Sequence, residues 1–284
     1  MIYLTGDTHG KFDRIGAFCD KMQTSRDDIL IILGDAGINF HAGALDILRK
    51  EYLSKLPITL LCIHGNHERR PESLPYYGEQ EWHGGKVYVE ARYPNILFAK
   101  DGEVYNLNSK KAIAIGGAYS IDKTWRVEGQ SWWADEQPSP EIKSRVEQAL
   151  DRLNWQIDIV LSHTTPLKYE PIEVFLPGID QSKVDKSTEE WLDGIEERLE
   201  YGHWYCGHYH TEKKIDRLQI MFNDYAALGA DRTCQQEKPL WMRSVRSKST
   251  RNLWNAWIPY AGISVTSNPA STLVTSTCRH CWRF

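Results

Sequence analysis

One arrangement recurs along the chain: a short run of apolar residues ends in a small residue, and Asp, Asn or His follows. It stands at Ile2–Thr5 before Gly6-Asp7-Thr8-His9, at Ile29–Leu33 before Gly34-Asp35, and at Ile58–Ile63 before His64-Gly65-Asn66-His67-Glu68. It returns at Ile157–Leu161 before Ser162-His163 and at Trp204–Cys206 before Gly207-His208-Tyr209-His210. Runs this short and this rich in Ile, Leu and Val predict buried strands. Further strands are predicted at Lys86–Glu90, Val104–Leu107 and Ala112–Ile115.

Four segments between the strands carry helical spacing. Phe12–Met22 places Phe12, Ile15, Phe18, Cys19 and Met22 on one face, and Ala44–Lys55 places Leu45, Leu48, Tyr52 and Leu56 near a 3.6 period. Glu141–Leu153 follows Ser139-Pro140, a cap-and-proline start. Ser187–Leu199 opens with Ser187 three residues before Glu190, the spacing of a capping box. Strand and helix alternate in the first half, and residues 86–115 then read as strands alone. That mixture predicts an α/β fold with two packed sheets, not one open parallel sheet.

Composition narrows the class. With 284 residues the chain can bury a sizeable core, and 41% hydrophobic with 25% charged residues is ordinary for a globular protein. A net charge of −4 gives no preference for nucleic acid or membrane. No apolar run approaches the roughly 20 residues that span a bilayer. Met1 runs directly into the first strand, so no signal peptide is expected and the cytoplasm is the expected location. The six scattered cysteines are then expected to be reduced. Residues 235–284 differ from the rest, with seven Lys/Arg against the single acid Glu237. The expected organisation is a catalytic domain over residues 1–234 and a basic C-terminal tail of uncertain order over 235–284.

Loops that follow neighbouring parallel strands converge on one rim, where open α/β sheets bind ligands. The polar residues at the five strand ends are Asp7, His9, Asp35, Asn66, His67, His163, His208 and His210. Singly, each has an ordinary reading: a turn, a helix cap, a hydrogen-bonded loop histidine. His208 and His210 have more, because positions i and i+2 of an extended segment face the same way. Together they form a set of oxygen and imidazole donors without thiolate, suited to Mn, Fe, Zn, Ni or Co. The set is too large for one tetrahedral zinc and sufficient for two ions, with a carboxylate such as Asp35 able to bridge them. Ions about 3.5–4 Å apart would hold a hydroxide between them and clamp the oxygens of a phosphate under attack.

At these residues the sequence resembles the calcineurin-like metallophosphoesterase superfamily. Its signature stands here as Asp7-Thr8-His9, Gly34-Asp35, Gly65-Asn66-His67-Glu68, His163 and Gly207-His208-Tyr209-His210, over roughly residues 1–230. The resemblance implies a four-layer α/β/β/α sandwich of two mixed sheets flanked by helices. It also implies a metal-dependent phosphoric ester hydrolase with two divalent ions, manganese first among the candidates. Carried over by motif, Asp7, His9 and His210 would hold one ion, Asn66, His163 and His208 the other, and Asp35 both. His67 would face the substrate and assist the leaving group. In the Ser/Thr protein phosphatase branch the second motif continues with an acid and an arginine. Here Ile38 and Asn39 stand in those places, so no residue of that motif is left to orient His67.

Two insertions border the predicted rim: residues 69–85 and 116–139, rich in Trp and Tyr. Arg69 or Arg70 in the first and Arg126 in the second are candidate phosphate contacts, with Arg126 and Arg69 preferred. Aromatic faces beside a guanidinium suit a nucleotide, although such aromatics also form satellite cores under long loops. His83 reads as structural. The expected partner is a phosphate-ester substrate, a nucleotide among the candidates, with nucleic acid a further candidate through the basic tail. Cys278-Arg279-His280-Cys281 lacks the second ligand pair a zinc site requires.

Overall fold

The computed structural model describes residues 1–40 and 43–229. The basic tail and its Cys278–Cys281 cluster therefore lie outside the described residues. In chain order the elements are β1 (Ile2–Thr5), α1 (Asp13–Met22), β2 (Ile29–Ile32), α2 (Ala44–Leu53), β3 (Thr59–Cys62), β4 (Gly78–Trp82), β5 (Gly85–Val89), β6 (Ile96–Ala99), β7 (Val104–Leu107) and β8 (Lys110–Ile115). They continue with α3 (Pro140–Arg152), β9 (Gln156–Ser162), α4 (Ser187–Arg198), β10 (Glu200–Cys206), β11 (Lys213–Ile215), β12 (Leu218–Ile220) and β13 (Ala226–Ala227).

Two mixed sheets result. One runs β13-β1-β2-β3-β6-β5-β4 and the other β11-β12-β10-β9-β8-β7. In the first, β1, β2, β3 and β6 are parallel, with Ile2 opposite Ile29 and Ile29 opposite Thr59. In the second, β8, β9, β10 and β12 are parallel. The period of two along a strand explains why these runs are apolar throughout. Leu4, Ile31, Leu33 and Leu61 point between the sheets to meet Leu107, Ala114, Ile159 and Leu161. Their neighbours Tyr3, Leu30 and Ile32 point outward onto Ile15, Phe18 and Cys19 of α1. On the far side Ile113, Ile115, Val160 and Trp204 meet Ile142, Val146 and Leu150 of α3 and Leu192 and Ile195 of α4. The order is helix, sheet, sheet, helix, with each fully buried Leu or Ile contributing about 1.5–3 kcal/mol.

Three local expectations change. In α2 the predicted apolar face is the outer one: Leu45 and Leu48 are exposed, while Asp46, Lys50 and Leu53 are buried. Lys50 turns inward because Glu90 receives its ammonium at 2.8 Å and the rings of Tyr76 and Tyr77 lie beneath it. At α4 there is no capping box. Ser187 is already helical, and Asp185 Oδ1 accepts its N–H at 3.0 Å. The first insertion contains β4, a polar edge strand paired with β5. At α3 the cap is as predicted, with Ser139 Oγ accepting from Ile142 N at 3.3 Å. No helix among the described residues is long and apolar enough to cross a membrane.

Candidate metal centre

The parallel strands of both sheets end on one rim, and that is where the predicted donors meet. The loops after β1, β2 and β3 are tied together by their backbones. His9 N donates to Asp35 O at 2.8 Å, Gly10 N to Ala36 O at 3.0 Å, and Asp35 Oδ1 accepts His67 N at 2.8 Å. The second sheet is locked to the first across the rim: His208 N donates to Asp7 Oδ1 at 2.9 Å and His163 Nδ1 to Leu33 O at 2.8 Å. Side chains fit this closely only because glycines lead the motifs. A Cβ on Gly34 would lie 2.0 Å from His163 Nδ1, on Gly65 2.1 Å from Asp35 Oδ1, and on Gly207 2.3 Å from Asp7 Oδ1.

Asp7, His9 and His210 form one group. Asp7 Oδ2 is buried without an aligned hydrogen bond, 3.2 Å from His210 Nε2 and 3.6 Å from His9 Nε2. The two imidazole nitrogens are 2.8 Å apart. Burial alone would raise the Asp7 carboxyl, but the imidazoles of His210 and His9 outweigh it and hold the group well below the usual carboxylate range. His9, Asp35, His208 and His210 all take left-handed backbone angles, φ 46°, 48°, 68° and 51°. That conformation costs a non-glycine residue about 1 kcal/mol or more and persists here because the loop hydrogen bonds over-determine it.

Asn66, His163 and His208 form the second group. His163 Nδ1 donates to a backbone carbonyl, which leaves Nε2 facing Asn66 Oδ1, 2.9 Å away. His208 Nδ1 lies 3.2 Å from the same oxygen. Burial and the nearby His163 push His208 down to about 3, favouring a neutral ring with a free lone pair. A cation among these atoms would be met by one amide oxygen and two ring nitrogens. A backbone carbonyl behind a ring N–H is also how ligating imidazoles are usually fixed. Asp35 lies between the groups, its Oδ1 3.7 Å from His163 Nε2 and its Oδ2 3.9 Å from His9 Nε2. All seven predicted donors thus converge, and the donor chemistry fits divalent cations.

His67 stands beside this cluster, its ring edge-on to His9 with centroids 5.5 Å apart. The motif leaves its orientation open, and the second insertion supplies it. Arg126 Nη2 approaches His67 Nδ1 at 2.7 Å, and the guanidinium is itself held by Asp122 Oδ2 at 2.5 Å and Ser131 O at 2.9 Å. Burial and the Arg126 charge push His67 well below the ordinary imidazole range. Ile38 is core, and Asn39 is bonded to Tyr77 through its Oδ1 at 3.0 Å.

Arg70 is structural: it is buried, paired with Asp101 at 2.6 Å, and donates to Asp135 O at 2.8 Å. Arg69 is fixed through its backbone, which donates to Asn39 O at 3.3 Å, and no contact of its guanidinium with the histidines is found among the described residues. His83 accordingly packs on Trp82 away from the donors, its Nδ1 3.1 Å from Asn106 O. Of the insertion aromatics, Trp133 is buried against Phe40 and Trp82 packs on the main core, whereas Trp125 is 57% exposed. Sequence reasoning missed Arg14, which reaches across chain-distant segments to Thr5 Oγ1, Gly6 O and Phe222 O at 2.8, 3.0 and 3.2 Å. It also missed Glu212, which accepts three consecutive backbone N–H groups from 222–224.

A cluster of oxygen and imidazole donors at the shared rim of two sheets defines an α/β protein with a candidate divalent-metal site. Residues 1–212 match the family described as calcineurin-like phosphoesterase, and the chain belongs to that family. Its four layers are that family's fold, and membership implies a hydrolase acting on phosphoesters with divalent metals. Among solved structures, the chain is similar to TT1561 of Thermus thermophilus, with 13% identity, a TM-score of 0.46, and 78% of this chain and 87% of that one covered. It is also similar to the phosphopantetheinyl hydrolase PptH from Mycobacterium tuberculosis, with 14% identity, a TM-score of 0.41, and 78% and 87% covered. No curated protein matches the sequence.

Proposed function

We propose that the protein hydrolyses a phosphomonoester or phosphodiester with two divalent cations, one held by Asp7, His9 and His210, one by Asn66, His163 and His208, and both by Asp35. When bound, such a pair supplies charge to the phosphoryl oxygens and lowers the pKa of water from 15.7 towards ~7. The protein's own side chains do the rest. Asp35 holds the His67 backbone through its Oδ1, so the donor shared by both groups also sets where His67 stands. His67 borders the cluster and assists the departing oxygen. Arg126, fixed by Asp122, brings a guanidinium to the same edge, placed to meet a phosphoryl oxygen. The convergence of Asn66 Oδ1 with His163 Nε2 at 2.9 Å and His208 Nδ1 at 3.2 Å, beside Asp35, carries the reading.

The test is elemental analysis of the purified full chain joined to release of p-nitrophenol from its phosphate and bis-phosphate esters. Metal-dependent turnover lost on chelation and in Asp35→Asn is expected, with manganese, iron, zinc, nickel and cobalt compared. Two bound metals without turnover across a broad ester panel would overturn the hydrolase and leave a nucleotide-binding protein. The altered second motif disfavours a protein phosphatase. A nuclease acting with the basic tail would show as cleavage of DNA or RNA by the full chain.

A further inference from the structure

A ligating imidazole aims its lone pair only as well as its ring is held, and the usual hold is an acceptor behind the second ring nitrogen. His163 has that hold in Leu33 O, 2.8 Å from its Nδ1. His210 is held differently. Its Nε2 faces Asp7 and His9, and no acceptor for its Nδ1 is found among the described residues. Its side chain is also 40% exposed, so burial does not fix the ring. What meets it is a flat face. The Phe222 ring lies on the imidazole with centroids 4.7 Å apart and planes 23° from parallel. Turning the imidazole about its bond to Cβ would drive its edge into that face, so the stack restricts the torsion that aims Nε2.

Phe222 is itself anchored through its backbone. Glu212 Oε1 accepts the N–H groups of Phe222, Asn223 and Asp224 at 3.0, 2.7 and 2.8 Å, so one carboxylate oxygen sets the turn. Arg14 Nη2 donates to Phe222 O at 3.2 Å and to Asp7 O at 3.1 Å, tying the turn to the loop that carries the first donor. A Cβ on Gly6 would lie 2.0 Å from Met221 O, so the two segments meet backbone to backbone. Phe222 lies past residues 1–212, the span that matches the family, so the motifs do not supply it.

We propose that Phe222, held by Glu212 and Arg14, is the positioning residue of His210, its ring face doing what a hydrogen bond to Nδ1 does at His163. The inference rests on the metal-dependent reading above, in which Asp7, His9 and His210 hold one cation.

The experiment is calorimetric titration of the metal-stripped full chain with Mn2+, beside circular-dichroism melting without metal. The chains compared are wild type, His210→Gln, Phe222→Leu, Phe222→Tyr, Glu212→Ala and the double variant Phe222→Leu with Glu212→Ala. Leucine keeps much of the apolar bulk and loses the flat face. Phe222→Leu is expected to weaken the Mn2+ site that His210→Gln weakens, by about 10-fold, and to leave the other unchanged. Phe222→Tyr keeps the ring and titrates as wild type. Glu212→Ala weakens the same site, and because it acts through Phe222 the double variant loses no more than the larger single loss. Wild-type titration of Phe222→Leu would overturn the positioning role, as would an equal loss at both sites that follows a lowered melting temperature. Losses that multiply in the double variant would remove Glu212 from it. A wild-type chain that takes up no divalent metal would overturn the reading beneath it. If Phe222→Leu does not fold, Glu212→Ala, at an exposed residue, decides between the same outcomes.

Discussion

The two donor groups are built by different means. The group of Asn66, His163 and His208 is deep: His163 is fully buried and Asn66 nearly so, and each is pinned from behind by a hydrogen bond to Leu33 O or Ser120 Oγ. The group of Asp7, His9 and His210 is shallow, with the His210 side chain 40% exposed and two of its three donors in left-handed backbone. The deep group is preorganised by packing, whereas the shallow one depends on loop hydrogen bonds and meets solvent. A cation in the shallow group should therefore exchange faster and be stripped at lower chelator concentration than one in the deep group.

That contrast can be broken in order of effect. Asp35→Asn touches both groups and should lower phosphoesterase turnover by about a thousandfold or more, with both metals weakened in elemental analysis. Gly34→Ala strikes the deep group alone. The added methyl meets His163 Nδ1 and the backbone angle is φ 92°, so a loss of roughly 3–5 kcal/mol is expected in chemical denaturation. A protein of unchanged stability would show that the rim can yield. His210→Gln removes a shallow donor and should cost about 10- to 100-fold in affinity for one metal. Excess Mn2+ should recover its activity, and failure of that rescue would count against the exchangeable-site reading.

The last test concerns what backs the deep group. Glu189 accepts from Thr164 Oγ1 at 2.7 Å, one residue after His163, and burial pushes its carboxyl from 4.5 up to about 7. A raised folded-state value means the protein binds the proton more tightly than the unfolded chain. The associated stability is full below pH 4.5 and is lost as pH rises to about 7, at roughly 1 kcal/mol per pH unit. Glu189→Gln should flatten that part of the stability profile, and a variant whose melting tracks wild type from pH 4.5 to 8 would remove Glu189 from the account.

The deep strands are legible in the sequence because burial on both faces leaves only continuous Ile, Leu and Val, as in Ile29–Ile32. The donors are legible because each closes such a run. β4, Gly78–Trp82, is not, since an edge strand with mostly exposed residues carries no apolar signal. The inward face of α2 escapes the pattern because a lysine reads as exposed until its carboxylate partner, forty positions later in the chain, is known. Arg126 and Ser120 meet His67 and Asn66 through contacts 59 and 54 positions apart, which no local pattern encodes.

The missing methyl groups of Gly34, Gly65 and Gly207 have a consequence for assembly. Each hollow is filled by a side chain from another motif, and two of the three interlocks join one sheet to the other. Neither sheet can offer a finished cradle before it docks. Metal uptake during refolding should then report the last step of assembly and not the first, and a cation added early would find nothing to grip.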